Sequence, residues 1–314
     1  MSNLFFVNAG TLEIFDLSGD TLSNRRAEAL LSTSGSVSIS NTGKCVAAVD
    51  DSGGKNVSIW PQSSGVLGVR VDTSSFPNDT VGVKFSSTDD DLLAVLDERK
   101  IHVTRVNSDG TITLLDSLAT DFAGAPPPAW NSDDTRIAYS HGSSDGVSLA
   151  SWDGTSLTSL DTKAGNGSAI FPFFISDDRV LTGTQVSSDL VRLWDVSADS
   201  FSLIDSIAFS ANSFSWQKPN PSGTFVFGGS AAASTAKLWK IESDAITEIA
   251  DFPIEVWQGA WINDSIVAVT QQGASSADGI YIYRATDSGL EELSFFQEEV
   301  NQRGDMVFFG DLGP

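Results

Sequence analysis

The chain has 314 residues, with 18 Lys and Arg against 41 Asp and Glu, a formal net charge of −23. Such a field repels nucleic acid and anionic lipid and argues against a DNA- or RNA-binding role. A single cysteine, Cys45, excludes an intrachain disulfide, and no apolar run approaches the ~18 residues of a membrane span.

The predicted elements are strands, and they recur. Short alternating runs end in an aromatic: Phe15 in TLEIFDL, Trp60 in NVSIWPQ, Trp152 in SLASWDG, Trp194 in LVRLWDV, Trp239 in AKLWKI and Tyr283 in IYIYRA. The spacing is about 45 residues, and HVTRV around Arg105 fills the double gap between Trp60 and Trp152. In phase with this runs a second marker, an apolar strand, a polar turn and another apolar strand, anchored at Ile39, Phe85, Trp130, Phe174, Pro219 and Trp261. Its turns carry Asn, Asp, Ser and Gly, which bond their own amides or tolerate left-handed backbone. The flanking runs are β-branched and aromatic with period-two alternation, hence strands.

In chain order, residues 3–33 supply a second, third and outer strand without an inner one. Complete units are expected at 36–72, 80–119, 128–162, 169–208, 213–251 and 256–296. Residues 304–312 match an inner strand and its turn. Isolated four-stranded sheets leave two faces and two edges in water, whereas radial packing buries the faces and shortens the edges. The expected fold is therefore all-β: one domain over 1–314, a seven-bladed β-propeller of four-stranded antiparallel blades. The C-terminal strand is expected to close the ring by joining the N-terminal blade. Phe15, Trp60, Trp152, Trp194, Trp239 and Tyr283 are expected to pack between blades, each contributing on the order of 5 kcal/mol as an upper bound.

The repeat resembles the WD-repeat β-propellers. The Trp-Asp dipeptide is intact at Trp152-Asp153 and Trp194-Asp195, with relaxed forms at Phe15-Asp16, Trp239-Lys240 and Tyr283-Arg284. The likeness covers essentially the whole chain but is degenerate, because no repeat opens on Gly-His. The family's Asp–His–Ser/Thr–Trp network therefore does not carry over. The resemblance implies a rigid disc used as an interaction platform.

Chemistry is sparse. There is no nucleotide-binding glycine loop, Gly-x-Ser-x-Gly, His-Glu-x-x-His or Cys-x-x-Cys, and only two histidines. His102 lies within a third strand and is expected to pack or bond a neighbour; His141 ends a second strand and faces a loop. Asp89-Asp90-Asp91 lacks the alternating spacing of a calcium loop. Neither a catalytic residue, a cofactor nor a metal site is expected. Loops that lead into inner strands carry Phe76, Phe122, Phe252 and Trp257, a candidate protein-binding face if exposed. MSNLFFVNAG has no basic or long apolar stretch of a secretory leader, so a cytoplasmic location is expected, or a virion one if the protein is viral.

These readings point to a non-catalytic propeller serving as a protein-interaction platform or structural component of a larger assembly, with other proteins as partners. One alternative is a virion structural or host-attachment protein from a marine or halophilic setting, suggested by the acidic composition. The other is a channel-centred propeller hydrolase.

Overall fold

The computed structural model describes residues 2–8, 11–18, 21–29, 36–50, 56–63, 66–73, 76–120, 127–141, 146–164, 168–185, 190–208, 216–230, 235–271, 279–297 and 306–309. Every regular element among them is a β-strand, and the sheets are wholly antiparallel. In the 80–119 sheet, Thr80–Phe85 is innermost, followed outward by Leu92–Asp97, Lys100–Val106 and Ile112–Ala119. The same inner-to-outer order holds in the sheets at 129–164, 168–208, 216–251 and 256–297. In the first sheet the innermost strand is Met306–Phe309, which pairs with Asn3–Phe6 of the strand Ser2–Asn8. The strands Thr11–Ser18 and Thr21–Ala29 lie outside it.

Alternation explains why the sheets stack radially into a β-propeller. Within Leu92–Asp97, Leu92, Ala94 and Leu96 pack with Ile137, Tyr139 and Trp152 of the following sheet. Leu93 and Val95 point the other way, into a cluster with Ala47, Val57 and Ile59 of the preceding sheet. A strand with both faces covered is expected to be apolar, and all six of its residues are buried, five of them apolar and the last, Asp97, a carboxylate. The repeat aromatics fill these same interfaces. Phe15, Trp60, Trp152, Trp194, Trp239 and Tyr283 are all buried.

The expectation of seven four-stranded blades is corrected: six sheets have that form, and the segment 37–73 does not. It makes a five-stranded sheet in which the outer position is divided. The third strand, Asn56–Ser63, pairs at its far end with Val66–Leu67 and in its middle with Val71–Thr73. The cause is local. Pro61 interrupts the ladder because it has no amide to donate. The chain then folds back, with the Gly68 amide bonding the Pro61 carbonyl at 2.6 Å.

Aspartates tie the sheets together at two radii. In the turns after the inner strands, a carboxylate of one sheet accepts bonds from the sheet before it. Asp90 takes the Thr42 amide at 2.7 Å, Asp177 the Ser132 amide at 2.9 Å, and Asp264 the Ser222 amide at 2.7 Å. Asp134 takes the amides of Ser87 and Thr88 at 2.7 and 3.0 Å and the Ser86 hydroxyl at 2.5 Å. Further out, Asp116, Asp161 and Asp205 accept the amides of Leu157, Phe201 and Ile246 at 2.7–2.8 Å. Each of these three lies beside a register shift in its outer strand, and the added twist of a bulge turns a side chain toward the next sheet.

Several of the aspartates that make the chain acidic therefore have structural partners. Asp90 is occupied by Thr42, and Asp91 pairs with Lys44 at 2.5 Å. Among the described residues, no group of three or more His, Cys, Asp or Glu is placed to hold a metal ion.

One joint is built differently. Where the turn after Trp216–Pro219 meets the 168–208 sheet, Gly223 stands at φ +71, and a Cβ there would lie 2.4 Å from the Ile175 carbonyl oxygen. Backbone packs on backbone at this point, and only glycine fits.

Candidate functional site

The site is built at the end of the disc where inner strands begin and where the turns between second and third strands lie. The strand Leu92–Asp97 ends on a carboxylate, the chain turns through Glu98 and Arg99, and Lys100–Val106 returns with His102. The turn is pinned on both sides. The Glu98 amide bonds the Asp79 carbonyl at 3.0 Å, and the Thr120 amide bonds the Arg99 carbonyl at 2.7 Å.

Asp97 is the hub. Its Oδ1 accepts the amides of Arg99 at 2.7 Å and Lys100 at 2.6 Å. Its Oδ2 lies 2.9 Å from His102 Nε2 and accepts from Asn78 Nδ2 at 3.2 Å. Asp97 is wholly buried and His102 is 2% exposed. Burial alone would push the Asp97 carboxyl up. The His102 bond, the Arg99 amide and Asn78 outweigh it and hold the group below the usual carboxylate range. An ionised carboxylate can only accept, so His102 Nε2 donates to it. That leaves Nδ1, which is buried and has no hydrogen-bond partner. The ring of Phe76 packs edge-on to the imidazole, with centroids 5.2 Å apart.

A carboxylate-oriented imidazole with its second nitrogen unengaged has the polarity of a general base, but this nitrogen is shut away from solvent and can accept a proton from water only if the packing around it opens. His102 thus does bond a neighbour, and that neighbour makes it chemically notable. His141 sits one interface further on, with Nδ1 3.2 Å from the Thr120 hydroxyl.

The expected adhesive ring of aromatics is corrected. Phe76 is buried with Val83, Val95 and Val106. Phe252 is buried with Phe227 and Tyr283, its ring perpendicular to Tyr283 at 5.5 Å. Both are plugs between sheets, because an apolar ring at the mouth of an apolar interface gains more by entering it than by facing water. Phe122 lies outside the described residues, as does the side chain of Trp257. The residues that sequence reasoning missed are Asp97 and Asn78. One is an acid in LDERK like many others, and the other a loop amide; only the closed turn brings them together.

The sequence matches no known protein family and no curated protein. Among solved structures the chain is similar to a periplasmic gluconolactonase of Pseudomonas aeruginosa, with a TM-score of 0.76 and 12% identity over 98% of this chain and 99% of that one. It is similar to a putative 6-phosphogluconolactonase of Bacteroides fragilis, with a TM-score of 0.73 and 13% identity over 98% of each. A chain of the mitotic checkpoint complex aligns with a TM-score of 0.65 and 16% identity, over 86% of this chain and 79% of that one. At these identities the likeness shows the fold, a β-propeller.

It also corrects the functional expectation. The fold taken to imply a non-catalytic platform is equally the fold of proteins described as lactonases, end to end. The scaffold, virion and not-an-enzyme readings are set aside on that ground. No helix among the described residues is long and apolar enough to cross a membrane.

Proposed function

We propose that this propeller is a hydrolase acting on lactones, with His102 as its general base. The observation that carries the reading is the buried Asp97–His102 pair at 2.9 Å, on a fold similar end to end to two proteins described as lactonases. In the reaction, the packing around the buried His102 must open to admit water and lactone; Nδ1 then takes a proton from that water as its oxygen attacks the lactone carbonyl. The ring C–O bond breaks, and the released alkoxide takes the proton back, giving the hydroxy acid. Asp97 stabilises the imidazolium formed between the two steps. A net charge of −23 disfavours an anionic substrate, so an uncharged sugar lactone suits the site better than a phosphorylated one.

Acid release from glucono-δ-lactone and from its 6-phosphate, followed by titration above the spontaneous rate, tests this. Turnover is expected with the neutral lactone, lost in His102→Gln and kept in His141→Gln. Folded wild-type protein with no rate above background removes the reading.

We also propose that the repeats are of the WD type. The two intact Trp-Asp dipeptides support this, as does the Trp194 indole N–H donating to the Thr182 hydroxyl at 2.9 Å. Relatives whose repeats lack the dipeptide at these positions would count against it. A cytoplasmic location completes the proposal, and recovery in a membrane or periplasmic fraction would exclude it.

A further inference from the structure

We infer that Asn78 is a positioning residue which, through Asp97, selects the histidine tautomer protonated on Nε2 and leaves Nδ1 of His102 as the basic atom. The catalytic consequence rests on the hydrolase reading; the tautomer does not. Both oxygens of Asp97 are engaged: two backbone amides hold Oδ1, while Asn78 and His102 share Oδ2. The amides come from the turn itself and fix the carboxylate at one end only. Asn78 Nδ2 is the donor that reaches it from another segment, the one leading into Thr80–Phe85. A carboxylate accepting four bonds has little reason to take a proton, and one that stays ionised obliges Nε2 to carry the hydrogen. Asn78 is half-buried and Asp97 wholly so, which places the adjustable member of the network nearer solvent.

With two histidines in the chain, imidazole nitrogen resonances can be assigned by a single His141→Gln comparison. The test is histidine-labelled full-length protein at alkaline pH, in wild type, Asn78→Ala and Asn78→Asp, each checked by thermal melting. In wild type, Nε2 of His102 is expected to be the protonated nitrogen and Nδ1 the unprotonated one. Asn78→Asp sets a second carboxylate against Asp97, and one proton must then sit between them. That variant is expected to show mixed tautomers and a fall in kcat of at least roughly tenfold with little change in KM. Asn78→Ala is expected to show the same in smaller degree, and it keeps the test open if the Asp variant does not fold. Identical nitrogen resonances in folded variants and wild type overturn the inference, as does a wild type protonated on Nδ1. A tautomer change in a protein that hydrolyses no lactone leaves this inference standing and removes only the hydrolase reading.

Discussion

Asp134 of one sheet accepts the backbone amide of Thr88 in the sheet before it, at 3.0 Å, and the bond crosses the gap between two separately folded hairpins. A carboxylate bonded to amides and hydroxyls is stronger than a neutral pair, so such a latch contributes more than its exposure suggests. Asp134→Ala is expected to cost about 1.5–3 kcal/mol. A double-mutant cycle with Ser86→Ala, read by urea denaturation, is expected to show coupling of roughly 0.5–3 kcal/mol. Additive effects would mean that the latch is passive.

The buried tryptophans predict a second outcome. Trp239 is 1% exposed and packs with Leu181, Val226 and Ile246. Trp239→Ala is expected to lose about 3–5 kcal/mol in equilibrium unfolding, the range for a large aromatic removed from a core that cannot collapse.

Two glycines in left-handed backbone separate strain from crowding. At Gly154, φ +93, an added Cβ meets nothing within 4 Å, so Gly154→Ala should lose only the ~1–2 kcal/mol of conformational strain. At Gly223 the same change also drives a methyl into the Ile175 carbonyl. Its thermal midpoint is expected to fall at least about twice as far. Equal shifts would show that the joint yields.

Acid should loosen the outer latches. Burial alone would raise the Asp161 carboxyl, but the amides of Phe201 and Thr162, with Lys163, hold it below the ordinary range. In a turn within one sheet, the Thr155 hydroxyl, then the amides of Ser156 and Thr155, depress Asp153 likewise. A folded-state value below the unfolded one means that the unfolded chain takes up protons first. Their contribution is therefore full above the ordinary value of about 4 and is lost as pH falls through the lower folded one. The melting temperature should fall below about pH 4, and Asp161→Asn should flatten that slope. An unchanged slope would assign acid sensitivity elsewhere.

The fold was largely legible in the sequence because a propeller repeats its instructions. Trp152, Trp194 and Trp239 mark the same place in successive units, and each unit needs only local alternation to be read. The 37–73 sheet was not legible in its outer part. Pro61 and Gly68 redirect the chain through a backbone bond that no period records. The site was harder still. His102 could be placed on its strand, but its significance depends on Asn78 and Asp97, which meet only when a loop and a turn from different hairpins close on each other. A carboxylate that holds a neighbouring sheet and one that faces salt water are the same letter, so the acidic composition did not separate the two.

The innermost strand of the first sheet, Met306–Phe309, comes from the far end of the chain. During synthesis, Leu4 and Phe15 emerge early into a sheet whose last partner is made late. The ribosome therefore releases an unfinished edge that must wait for a strand roughly 300 residues further along the chain. Contacts of such sequence separation slow folding and leave strand edges open to other chains. A factor that shelters the nascent N-terminal hairpins, or a slow final rearrangement once Phe309 is free of the exit tunnel, would govern the yield of native protein.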